Sequence, residues 1–156
     1  MTRLVPATSS EHVAAARVLF LEYADSLGVD LCFQDFEAEL ARLPGDYVAP
    51  RGTLLLALDG ETVLGCVAVR SHDWTESAEM KRLYVRPAGR GHGLGRRLAV
   101  AAIDFARDVG YTRIRLDTLP TMTEAIALYE SLGFRDADAY RHNPVAGTRY
   151  LELELR

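Results

Sequence analysis

Several features that would fix a function outright are missing. No stretch is long and apolar enough to cross a bilayer, so no membrane partner is expected. Met1–Ala7 lack the apolar core of a secretory leader, which points to a cytoplasmic protein. The 2 cysteines, Cys32 and Cys66, cannot make a disulfide framework, and their apolar surroundings suit buried thiols. The 4 histidines, His12, His72, His92 and His142, are scattered without metal-ligand spacing, so no metal is expected. No Ser/His/Asp or Cys/His arrangement for nucleophilic catalysis can be read. A net charge of −4 argues against nucleic acid as a partner. Internal repeats, flexible linkers and low-complexity tracts are absent as well.

What is present fits one domain spanning 1–156. The chain has 156 residues, 49% of them apolar and 26% charged, enough to bury a core of its own. Charge is unevenly spread. Between Met1 and Pro50 acidic residues prevail, with Arg3, Arg17 and Arg42 the only cations. From Glu79 to Val100 the order reverses: Lys81, Arg82, Arg86, Arg90, Arg96 and Arg97 face Glu79 alone. A basic patch inside an acidic protein suits a local anionic ligand; a solvated helix face is the plainer alternative.

Periodicity supplies the elements. Thr2–Pro6 reads as a first strand. Thr8 and Glu11 have capping-box spacing ahead of a helix carrying Val13, Ala16, Phe20, Ala24 and Leu27. Phe33, Phe36, Leu40 and Leu43 mark a second helix, closed by Pro44-Gly45. Asp59-Gly60 joins the strands Thr53–Leu58 and Thr62–Arg70 as a hairpin, and Glu79–Val85 alternates as a third long strand. A glycine-rich turn then opens a helix to Val109, with Leu94, Leu98, Ala101, Phe105 and Val109 on its apolar face. Thr112–Leu116 is a short strand, so Glu79–Leu116 should form a right-handed crossover between parallel strands. Met122–Leu132 reads as a helix ended by Gly133, and Tyr150–Arg156 as a last strand, with a final hairpin expected. The fold class is α/β (α+β), with a mixed, mostly antiparallel sheet of about 6–7 strands and about four helices.

The turn Arg90-Gly91-His92-Gly93-Leu94-Gly95 follows a strand and begins a helix. Glycines let successive N–H groups converge, and first-turn amides have no partner inside the helix. Such a turn can accept a phosphate or pyrophosphate, with Arg90, Arg96 or Arg97 adding charge. It lacks the Gly-Lys-Ser/Thr of a nucleotide-binding P-loop and the spacing of a dinucleotide fingerprint. The alternative is a glycine-rich entrance that lets helix and strand pack closely.

The run Glu79–Gly95 resembles the acetyl-coenzyme A signature of the GNAT superfamily of N-acetyltransferases, Arg/Gln-x-x-Gly-x-Gly/Ala after an apolar strand, matched by Arg90, Gly93 and Gly95. The segment Ala125–Phe134 resembles that superfamily's Ala-x-x-Leu-Tyr-x-x-x-Gly-Phe. The order of elements is similar over nearly the whole chain. One position departs: Met122 stands where members often carry Asn, so that residue's cofactor contact is either absent or supplied by a neighbour such as Thr121 or Thr123.

The resemblance implies an N-acetyltransferase moving an acetyl group from acetyl-coenzyme A to a primary amine within a ternary complex, no cysteine lying in either motif. A coenzyme A-binding module without transfer is the alternative. By resemblance, cofactor contacts fall on Leu83, Tyr84, Val85, Arg90, Gly91, His92, Gly93, Leu94, Gly95, Arg96 and Thr121, in a V-shaped cleft between the strands of the crossover. Tyr129 is the implied acid at the cofactor sulfur, or else a core tyrosine. Glu79 is the implied base, or a substrate contact, or an ion-pair partner of Lys81 or Arg82. The acceptor, a small-molecule or peptide amine, would meet Phe33, Phe36, Tyr47, Tyr140, His142 and Asn143, and the acidic N-terminal half would favour a cationic one. Asp117 either caps the turn after its strand or faces the cleft. The segment Arg135–Leu155 also resembles a subgroup of small bacterial members with Tyr-x-x-Asn-Pro near this point, and dimers are common in the superfamily, which leaves a homodimer open.

Overall fold

A computed structural model of the chain describes residues 2–28, 35–72, 76–140, 143 and 145–155. The expected Phe33, His142, Cys32 and Trp74 positions lie outside these residues.

The elements run β1 (Thr2–Pro6), α1 (Ser10–Leu27), α2 (Phe36–Arg42), β2 (Thr53–Asp59), β3 (Thr62–Ser71), β4 (Ser77–Val85), α3 (Leu94–Val109), β5 (Arg113–Thr118), α4 (Thr123–Ser131), β6 (Arg135–Asp136) and β7 (Arg149–Glu154). A 3₁₀ turn, Pro87–Gly89, precedes α3. The strands form one 7-stranded sheet in the order β1-β2-β3-β4-β5-β7-β6. All neighbours are antiparallel except β4 and β5, the parallel pair of the crossover. This is the mixed α/β architecture the periodicity implies.

Two cores sandwich the sheet. On one face α3 and α4 pack over Val67, Val69, Ala78, Met80, Ile114, Leu116 and Leu151. On the other, α1 and α2 pack over Leu54, Leu56, Leu58, Cys66 and Ala68. Each fully buried leucine or valine contributes roughly 1.5–3 kcal/mol of transfer free energy. The α1/α2 layer stops at β4. Beyond it, on the same face, β5 and β7 present Arg113, Arg115, Asp117, Tyr150 and Glu152, because their alternate residues point into the α3/α4 core.

Local details differ from the sequence expectation in two places. Ser9, not Thr8, caps α1: its side chain accepts the His12 N–H at 3.1 Å. The buried stripe of α3 runs through Leu94, Leu98, Ala102 and Ala106, flanked by Ala99 and Ile103, whereas Ala101, Phe105 and Val109 lie at its border. Alanines share the contact line with Leu94 and Leu98 and let the helix sit close to the sheet, with Phe105 and Val109 at the edge.

Candidate active site

The sheet opens in its middle. β4 and β5 pair only through Ser77↔Arg113, Ala78↔Ile114 and Glu79↔Arg115. From Met80 to Val85 on one strand, and from Leu116 to Thr118 on the other, neither has the other as a neighbour. β4 still follows β3, but with a bulge between Cys66 and Ala68, where Arg82 adopts a left-handed conformation (φ 59°). A β-bulge bends its strand and leaves the extra residue unpaired. The side chains of Leu83 and Val85 pack toward α3 and α4, while that of Tyr84 turns to the α1 side.

Arginine is costly in a left-handed conformation, so its surroundings must hold it there. Arg82 is 4% exposed and makes two hydrogen bonds to Glu39 of α2, at 2.9 and 3.0 Å. Its guanidinium lies 5.2 Å from the Phe36 ring and 6.0 Å from that of Tyr23. Its carbonyl accepts from Cys66 Sγ at 3.3 Å. Burial works against ionisation of Glu39, but the hydrogen bonds and charge of Arg82, with Lys81 nearby, hold its carboxyl below the usual range. Phe36 and Tyr47 are buried in this cluster, so their side chains fill the α1/α2 core.

At the apex of the split, Glu79 is fully buried. Its partners are Arg70 Nε at 3.0 Å and the Tyr140 hydroxyl, which donates at 2.9 Å. Cross-strand register sets Glu79 opposite Arg70, and Arg82 pairs with Glu39 rather than with Glu79. The Tyr140 ring packs edge-on against His72 and Tyr150. Arg115 and Glu152 are likewise opposite one another and bonded at 2.8 Å. On the far lip Asp117 accepts from Asn143 Nδ2 at 3.4 Å, and Asn143 Oδ1 takes the Val145 N–H at 2.9 Å.

Tyr129 projects from α4, 6% exposed, against Phe134. Burial raises its phenol pKa, and Tyr23 and Asp117 add to the shift. Tyr23 belongs to α1, on the opposite face of the sheet.

The glycine-rich turn lies beyond the end of β4. Arg90 Nε donates to Val85 O at 3.1 Å, folding the turn against the strand. Gly91 (φ 84°) and Gly93 (φ 73°) are left-handed, which accounts for glycine at both. The first helical bond is Arg97 N–H to Gly93 O at 3.1 Å. The successive N–H groups from Gly91 through Arg96 reach no protein acceptor among the described residues. Close packing does not explain these glycines. A Cβ at Gly91 or Gly93 would meet nothing within 4 Å, and one at Gly95 would only touch Leu128 at 3.7 Å and Val85 at 3.9 Å. Such a run of unpaired amides at a helix N-terminus fits a pyrophosphate. Arg96 bonds Ser131 of α4 at 3.0 Å; His92 and Thr121 are exposed, the latter in the turn before α4. Met122, at the departing position, accepts a weak hydrogen bond from Thr118 through its sulfur at 3.8 Å. No group of three or more potential metal ligands is assembled among the described residues. None of their helices is long and apolar enough to cross a membrane.

Sequence reasoning missed Arg70 and Tyr23. A single arginine ending the apolar run Cys66–Val69 was the available signal for the first. Tyr23, three residues after Phe20 on the α1 stripe, left the same trace as a core residue.

Comparison with known proteins agrees with this geometry. A profile described as the acetyltransferase (GNAT) family matches residues 17–134. An uncharacterized N-acetyltransferase of Schizosaccharomyces pombe is 42% identical over 140 residues, covering 89% of this chain and 86% of that protein. A GNAT-family acetyltransferase of Staphylococcus aureus Mu50 superposes with a TM-score of 0.82 at 16% identity, covering 100% of both chains. The Salmonella typhimurium protein yncA, solved with its cofactor acetyl-CoA, superposes with a TM-score of 0.75 at 21% identity, over 99% of this chain and 94% of that one. Profile match, relative and split sheet together establish that the chain belongs to the acetyltransferase (GNAT) family.

Proposed function

We propose that the chain transfers an acetyl group from acetyl-coenzyme A to a primary amine by direct attack in a ternary complex. The observation that carries this reading is the run of unpaired amides Gly91–Arg96 beside the parting of β4 and β5. Acetyl-coenzyme A supplies an activated thioester. The chain supplies the rest. Amides Gly91–Arg96 hold the pyrophosphate. The unpaired edge of Met80–Val85 offers main-chain donors and acceptors to an extended arm and to the thioester carbonyl. Tyr129, kept protonated by burial, has a hydroxyl hydrogen to donate, which suits a group that stabilises a departing thiolate. Glu79, tied to Arg70 and Tyr140, fixes the apex of the cleft and orients Tyr140 toward the acceptor side. The Salmonella protein of the same fold, solved with acetyl-CoA, supports acetyl-CoA as the donor.

The test combines coenzyme A binding with a thiol-release screen across amino acids, polyamines, aminoglycosides and short peptides. Binding in the low micromolar range with amine-dependent thiol release is expected. Binding without release to any amine would make the chain a coenzyme A-binding module, and no binding would defeat both readings.

A further inference from the structure

We propose that Asp117 is a catalytic residue, the carboxylate that receives the acceptor's ammonium group and takes one of its protons, so that the nitrogen can attack. This rests on the acetyl-transfer reading above and adds the group that reads the acceptor. Position is the first argument. Arg115 is the last residue of β5 paired with β4, and Asp117 stands two residues further, on the same face, at the lip of the opening. Its neighbours Leu116 and Thr118 are buried, whereas Asp117 itself is half-buried and faces away from the α3/α4 core.

Charge is the second argument. On this face the other carboxylates near the cleft are matched: Glu39 with Arg82, Glu79 with Arg70, Glu152 with Arg115. Asp117 has no ion pair among the described residues. Its one hydrogen bond, from Asn143 Nδ2, engages Oδ2 and leaves Oδ1 without a hydrogen-bonding partner there. Asn143 is itself oriented by the Val145 amide, so its NH₂ group cannot turn away freely. A carboxylate bonded only by a neutral amide beside a gap in the sheet has an oxygen left to accept from an incoming cation.

Reach is the third. The charge of Asp117 is felt by Tyr129, the sulfur-side donor, and by Tyr23 across the gap. Glu79, by contrast, is fully buried, and Arg70 screens it. In the step assigned here, the bound ammonium first gives one proton to Asp117. The nitrogen lone pair forms the C–N bond, and the C–S electron pair leaves on sulfur. The nitrogen's surplus proton passes to solvent. The thiolate, hydrogen-bonded by Tyr129, is protonated from solvent, and Asp117 returns its proton there.

Two small nucleophiles separate this role from a structural one. Methylamine is a cation at neutral pH and hydroxylamine is not. In Asp117→Asn, thiol release with methylamine should fall about 100-fold in kcat/KM, while hydroxylamine keeps its rate within about fivefold. Coenzyme A affinity should stay within about threefold, which reports a folded cofactor site. Asp117→Ser is measured in parallel, so that a folding defect in one variant does not decide the result. Methylamine turnover retained within about threefold, or equal loss of both nucleophiles with coenzyme A still bound, overturns the role of Asp117. Silence of the unaltered protein toward both, with coenzyme A bound, overturns the transfer reading and this role with it.

Discussion

Tyr129 and Glu39 are both deeply placed, yet their ionisation is pushed in opposite directions. Burial alone disfavours charge on either. Tyr129 has no cation to offset this, so its phenol stays protonated well past the ordinary tyrosine range. Glu39 has Arg82, whose hydrogen bonds and charge outweigh desolvation. Activity that needs the Tyr129 proton should therefore show no alkaline loss centred near pH 10, the value of a free tyrosine. A kcat profile carried to that pH checks it. Tyr129→Phe should lower kcat about 10- to 100-fold, with coenzyme A affinity nearly unchanged. Stability follows the same signs. The raised phenols of Tyr23, Tyr47 and Tyr129 contribute stability that is complete below about pH 10 and is lost as pH rises, because the unfolded chain ionises first. The depressed carboxyl of Glu39 contributes above about pH 4.3 and is lost on acidification. Urea titrations across pH should show both limbs, and Glu39→Gln should flatten the acid one.

Element by element, the bulge in β4 and the first turn of α3 carry the site. Removing Glu39 strands a buried guanidinium, so Glu39→Gln should cost about 3–5 kcal/mol in denaturant unfolding. Replacing both partners with apolar residues, Glu39→Leu with Arg82→Met, should recover much of that stability. It should still raise the KM for acetyl-coenzyme A, because the bulge that bends β4 out of the sheet loses its clamp. Gly95→Ala makes the opposite separation. Its Cβ meets only ordinary contacts, and alanine suits a helix, so thermal unfolding should improve by roughly 0.5–1 kcal/mol. Coenzyme A affinity should nevertheless fall at least about tenfold, since the space is reserved for a ligand. Elements of this kind were the most legible in the sequence. The bounds of α3, the Asp59-Gly60 hairpin and the parallel crossover all follow from local pattern and turn chemistry. The bulge was not legible, because no local preference places arginine in a left-handed conformation. Glu39, which holds it there, lies far away in the chain.

At the scale of the whole molecule, the acidic N-terminal half and the basic middle answer one another. Glu39 meets Arg82, and Glu22 of α1 meets Arg86 at 2.9 Å, so these carboxylates are spent on joining layers. Their excess is therefore a poor guide to the acceptor's charge. Register adds a pattern no local reading reveals: Arg70, Glu79, Arg115, Glu152 and Arg135 stand side by side across β3, β4, β5, β7 and β6, alternating in sign. Each belongs to a different strand, and only the strand order brings them into a row. The same dependence on topology hid the partners of Glu79, while the glycine turn, being contiguous, was readable at once. The parted strands have one more consequence. An exposed ladder at the rim of a sheet invites other chains to add to it. Here the unfinished ladder lies at the centre, flanked by β4 on one side and β5 on the other. A slender chain-like guest can complete it, whereas a neighbouring protein's strand would have to be threaded through the fold.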